Sequence, residues 1–128
     1  MVVKLDTTKG KKRENKMKKI AVLNCLKAND VCTGAACLRA FNEKSHSFER
    51  YQEQEICLAA FMRCNGCGAD PESDKGLLEK VERLKEEGVE AVHAGVCTQD
   101  RAGQECPTIT KLLKEIESRG IEVIRGTH

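Results

Sequence analysis

Four short apolar runs divide this chain, and the lengths between them decide what it can build. They are Ile20-Ala21-Val22-Leu23, Ile56 to Met62, Val89 to His93 and Ile121 to Ile124. Each has the length of a strand, and the unbroken run from Ile56 to Met62 is of the kind found in strands covered on both faces. Helical periodicity fills the intervals. Thr33 is placed to cap a helix reaching about Lys44, with Ala36, Cys37, Ala40 and Phe41 on one face. Ser73 or Asp74 starts a second, whose Leu77, Leu78, Val81 and Leu84 recur at helical spacing until Gly88 stops it. Pro107 suits the first turn of a third, with Ile109, Leu112, Leu113 and Ile116 as its stripe and Gly120 closing it. Ser45 to Glu53 reads as a polar connection.

Strands alternating with helices in the order βαβαβαβ resolve as a parallel sheet with right-handed crossovers and helices on both faces. The expected fold is therefore α/β: a three-layer, doubly wound, four-stranded parallel sheet of flavodoxin or Rossmann-like kind, with strand order 2-1-3-4. A chain of 128 residues suits one domain and buries a core without disulfides. Residues 1–16 lack hydrophobic periodicity, so the expected organisation is a disordered basic extension over 1–16 and a single domain over 17–128.

Charge and composition narrow the partners. Residues 1–19 carry eight basic side chains against two acidic, a net +6, whereas the remainder, with fourteen basic and eighteen acidic, is −4. Nothing basic in the domain continues the patch, and aromatic side chains on which bases would stack are few, so nucleic acid is not an expected partner. No Gly-rich phosphate fingerprint of the G-x-G-x-x-G or Walker type occurs. No apolar run has the length of a signal peptide or a membrane span, so the expectation is a cytoplasmic protein without a membrane partner.

Eight cysteines in a reducing compartment serve as ligands or redox groups rather than as structural bridges. Their places follow the strands. Cys25 comes after the first strand, Cys64 and Cys67 after the second, Cys97 after the third and His128 after the fourth, while Cys32, Cys37 and Cys106 fall where helices begin. In a parallel sheet all these positions share the C-terminal edge, where open α/β sheets place their sites. Cys57, inside a strand, reads as a small buried apolar residue. His93 ends a strand four residues before Cys97 and points towards the same edge. Only Cys64-Asn65-Gly66-Cys67 has the short C-x-x-C spacing, and Gly66 with Gly68 lets the backbone fold back so that two thiolates face one metal or each other.

These residues carry a family resemblance. From about Lys18 to His128 the chain resembles the CGGC-domain proteins, small prokaryotic proteins named for a central C-G-G-C. The matching pieces are Cys25, Cys32-Thr33-Gly34-Ala35-Ala36-Cys37 leading to Ala40-Phe41-Asn42, Cys64-Asn65-Gly66-Cys67, His93 with Cys97, Cys106-Pro107, and Gly120-Ile121-Glu122-Val123 with the ending Gly126-Thr127-His128. The resemblance implies a metal-binding domain whose ligands are cysteines and histidines. Two positions depart from it: Asn65 replaces the first central glycine, and Thr108 stands where relatives often carry a histidine after Cys-Pro. Asn tolerates positive φ, so the turn is expected to survive; the absent histidine weakens a ligand role for that corner.

Two chemistries follow. In the first, Cys25, Cys64, Cys67 and Cys97 form the inner shell of a metal site, with Cys32, Cys37, Cys106, His93 and His128 as further ligands; soft thiolates select zinc, copper(I) or an iron–sulfur cluster over magnesium or calcium. In the second, the chain is a thiol/disulfide redox protein using the C-x-x-C pair and helix N-terminal cysteines, with Cys106, Cys37 or Cys67 as nucleophile. Against the second, Cys67 is followed by Gly68-Ala69-Asp70-Pro71 and so stands several residues from a helix dipole. Whether the protein is an enzyme stays open between them.

Overall fold

Burial on both sides of one strand sets the architecture. In β1 (Lys18–Asn24), Ile20 and Val22 pack on one face of the sheet, Ala21 and Leu23 on the other, and all four are fully buried. Such a strand belongs inside a sheet covered on both sides. It pairs in parallel with β2 (Ile56–Arg63) and with β3 (Ala91–Ala94), and β3 pairs in parallel with β4 (Glu122–Arg125). The strand order is therefore β2-β1-β3-β4, as the alternation of elements predicts. The computed structural model describes residues 17–27, 31–66, 68–100 and 102–128. The expected extension over 1–16 lies outside them, and so does Cys67.

Three α-helices supply the outer layers: α1 (Ala35–Glu43), α2 (Lys75–Glu87) and α3 (Pro107–Ser118). Leu77, Val81 and Leu84 of α2, with Ile109, Leu112, Leu113 and Ile116 of α3, cover Ala21, Leu23, Val92 and Ala94. Cys37 and Ala40 of α1 cover the opposite face over Ile20, Val22 and Ala91. Asp74 starts α2 by accepting the Gly76 and Leu77 amides at 2.9 and 3.2 Å, and Gly88 ends it at φ 82°. Among the described residues no helix is long and apolar enough to cross a membrane.

Two segments differ from expectation. The polar connection contains a 3-10 helix, His46–Tyr51, which buries Phe48 and Tyr51 beside α1. Residues three apart eclipse in a 3-10 turn, so two aromatic side chains suffice to anchor an otherwise polar segment. The run from Ile56 to Met62 packs on both cores, Ile56, Leu58 and Phe61 against one and Ala59, Ala60 and Met62 against the other, but β2 is an edge strand and every one of its residues is only half-buried. Cys57, second in that strand, is accordingly half-buried rather than deep. An apolar run fixes a strand; its place in the sheet depends on what packs beside it.

Candidate functional site

The parallel register brings three strand ends to one edge, and backbone hydrogen bonds then lace them together. The Cys64 amide donates to the Asn24 carbonyl at 3.2 Å, and the Gly95 amide to the Leu23 carbonyl at 2.8 Å. Beyond β1, successive amides turn to sulfur. The Cys25 amide donates to Cys97 Sγ at 3.2 Å and the Leu26 amide to Cys64 Sγ at 3.4 Å. A third such bond runs from the Gly34 amide to Cys32 Sγ, at 3.3 Å. An N–H aimed at sulfur favours the negatively charged form, as it does for any acceptor.

Asn24 organises one side of this edge. Its side chain follows β1 into the interior, 1% exposed, and its Oδ1 accepts from the thiols of Cys37 and Cys97, each at 3.8 Å. Cys37 Sγ also meets Thr127 Oγ1 at 3.1 Å, which ties α1 to the segment after β4. Gly95 is required here, since a Cβ at this position would lie 2.6 Å from Asn24 Oδ1 and 3.4 Å from Cys97 Sγ. Burial raises the pKa of both thiols. At Cys37 the Thr127 hydroxyl opposes that rise and the Cys32 thiol adds to it. At Cys97 the Cys25 amide opposes it, and the neighbouring thiols of Cys25, Cys37 and Cys32 add to it.

Among the described residues the cysteines other than Cys57 thus share an edge but divide between its two sides. Cys37 packs from α1 into the core on one face, whereas Cys64, 3% exposed, packs in the core under α2 and α3, with Cys106 partly buried against the same residues. Cys106 stands just before α3 without a side-chain capping bond, and its amide donates to the Thr98 carbonyl at 2.9 Å. Cys32 is exposed, Cys25 and Cys97 are half-buried, and Cys57 stands at the start of β2, away from the edge. Among the described residues no three His, Cys, Asp or Glu side chains converge as a metal-binding group.

The expected histidines are not with the thiols. His93 is third in β3, level with Val22 and Ile124, and its ring is buried in the sheet's face rather than at its edge. Its Nδ1 bonds Ser47 Oγ and its Nε2 bonds Tyr51 Oη, each at 2.8 Å, so both ligating nitrogens are in use. His128 is exposed at the chain end, lining a shallow groove with Arg39, Glu43 and His46.

Reasoning from the sequence missed Asn24 and Thr127. The available signal was a polar residue directly after an apolar strand, beside a cysteine in one case and at the closing turn in the other. It also put Asn65 in a positive-φ turn. Among the described residues only Lys44 and His46 adopt positive φ without being glycine, and the turn is made by Gly66 at φ 111° and Gly68 at φ 84°. Thr108 takes a tethering role instead of a ligand's: it is buried and its hydroxyl donates to the Ala69 carbonyl at 2.7 Å.

Comparison with known proteins concerns the chain as a whole. The CGGC domain model matches residues 19–128. A protein of Methanocaldococcus jannaschii, described as uncharacterized, is 36% identical over 122 residues, covering 86% of this chain and 86% of its own. No solved structure matches.

Proposed function

This chain belongs to the CGGC domain family, and from that premise we propose that it binds a soft metal, as zinc or an iron–sulfur cluster, through cysteine thiolates at the C-terminal edge of its sheet. The observation that carries the reading is the set of three backbone amides donating to the sulfurs of Cys97, Cys64 and Cys32. Amide donors around sulfur stabilise thiolate, the form in which cysteine ligates metal.

The donor set fits such a group. Burial pushes Cys37 and Cys97 up, so a bare thiolate at either position is disfavoured. That argues against a free, reactive nucleophile at either position. Cys37 and Cys97 meet at Asn24, and Cys97 feels the thiols of Cys25 and Cys32; these four are one candidate ligand set, which a bound metal would draw together. Cys64, with Cys67 as its C-x-x-C partner in sequence, forms the other. A soft cation supplies positive charge that several neighbouring sulfurs share. The protein residues fix sulfur direction, through Asn24, Thr127 and the three amides, and limit solvent at Cys37 and Cys64. The setting we propose is a reducing cytoplasm, in which these thiols stay available as ligands.

Elemental analysis with an absorption spectrum, on protein purified without oxygen, tests the reading. Iron with sulfide and a brown colour selects a cluster, and colourless protein with zinc selects zinc. A folded chain that carries no metal and takes up none from chelator-buffered zinc refutes it.

A further inference from the structure

The loop after β2 is fastened to α2 by a side chain that the family's motif does not call for. Asn65 Oδ1 accepts from Lys80 Nζ at 2.7 Å, and Asn65 Nδ2 approaches both Asp74 carboxylate oxygens, at 3.4 and 3.2 Å. Lys80 Nζ also donates to the Arg63 carbonyl at 2.6 Å, so one ammonium grips the backbone on one side of Cys64 and the side chain on the other. Asp74 is itself fixed, because its carboxylate caps α2. Downstream, the Ala69 carbonyl accepts the Thr108 hydroxyl, and Lys111 pairs with Asp70 at 2.9 Å. The loop is therefore held from α2 before its turn and from α3 after it.

Glycine at position 65 would leave no side chain there for Lys80 and Asp74 to hold, and only the Arg63 carbonyl would still tie Lys80 to the loop. A loop of that kind adopts its ligating shape only when something binds it, and the ordering then opposes binding. With the anchor, the ordering is done by the fold. We propose that Asn65 and Lys80 are positioning residues that pre-order the Cys64 loop, keeping the Cys64 thiol closed and directed before any ligand arrives. The consequence for ligation rests on the metal-binding reading above; the pre-ordering itself does not.

Alkylation of the metal-free protein by iodoacetamide, followed thiol by thiol with mass spectrometry, separates the two. In Asn65→Gly and in Lys80→Met, Cys64 is expected to react about tenfold faster than in the parent, since each change removes a hydrogen bond to a charged group that restrains local opening. Cys37, on α1, 4% exposed and held by Thr127, is expected to keep the parent's rate. An unchanged Cys64 rate in both variants overturns the proposal, and so does equal acceleration at Cys37, which would report general loosening. Zinc uptake by the parent is measured beside this: a parent that takes up none removes the metal reading, while the Cys64 rates still decide the anchor.

Discussion

Two buried polar clusters flank the same sheet, and they are built on opposite principles. Around His93 the side chains satisfy one another: Ser47 and Tyr51 occupy its two nitrogens, and Phe48 stacks on the ring with centroids 4.2 Å apart and planes at 21°. Burial, then the charges of Arg50 and Lys18, pulls the imidazole down to about 4, and burial pushes Tyr51 up to about 12. Both groups are neutral and closed, and what they accomplish is to fasten the 3-10 helix onto β3. At the thiol edge backbone amides donate to the sulfurs of Cys97, Cys64 and Cys32, the Asn24 side chain accepts from Cys37 and Cys97, and the Thr127 hydroxyl meets Cys37. The difference separates a polar cluster closed by side chains from one laced together by backbone amides.

The largest effect should fall on metal content. Cys97→Ser and Cys64→Ser are each expected to lose most of the bound metal per folded chain, because serine offers a far harder and rarely ionised oxygen. Cys57→Ser should keep it: position 57 lies seven residues before Cys64 on an extended strand, roughly 23 Å at about 3.3 Å per residue. Metal analysis of the three anaerobic variants checks this, and equal loss at position 57 would break the division between edge and strand.

His93→Ala sharpens the contrast from the other side. It removes a ring that is 0% exposed and orphans the Tyr51 hydroxyl, so unfolding free energy should drop by about 3 kcal/mol. Metal content per folded chain should not change. If metal is lost with His93, the two clusters are one site and the comparison fails.

Acidity probes the same cluster. An imidazole held near 4 in the fold, against about 6.5 unfolded, binds more protons in the unfolded chain throughout the interval between. Stability is therefore fully present above about pH 6.5 and is lost as pH falls towards 4, by at most about 3 kcal/mol. Denaturant midpoints across that interval should fall more steeply for the parent than for His93→Leu. Coincident slopes would show that the imidazole is not neutral in the fold.

How much of this was legible beforehand depended on whether the cause was local. Strand-length apolar runs, Asp74 as a cap, Gly88 as a stop and Pro107 at a first turn are local, and the strand order followed from the alternation they define. The shared edge of Cys25, Cys64 and Cys97 followed in turn from parallel strands. The partition of thiols between the two sides of the sheet did not, since it depends on which way each residue leaves its strand. His93 was misplaced for the same reason: one position along a strand reverses the face. Its partners lie on Ser47 and Tyr51, more than forty residues away, and no spacing rule links them to it.

The smallest expected effects make the finest comparison, one hydroxyl against another. Tyr51→Phe and Thr127→Val each delete a buried oxygen with little change of shape. Tyr51 Oη bonds His93, and Thr127, 0% exposed, bonds Cys37 Sγ. Losing either bond should cost about 1 kcal/mol of stability, the net value of one hydrogen bond. Ligation should tell them apart. A hydroxyl beside a liganding sulfur is an outer-shell partner, and losing such a partner typically weakens metal affinity by about 10–100-fold. Thr127→Val should therefore bind metal more weakly in chelator competition, whereas Tyr51→Phe should match the parent. Unfolding curves measured beside the competition give the stability term for each variant. If Thr127→Val keeps the parent's affinity at the same loss of stability, Cys37 is a packing residue, and the group around Asn24 loses that sulfur.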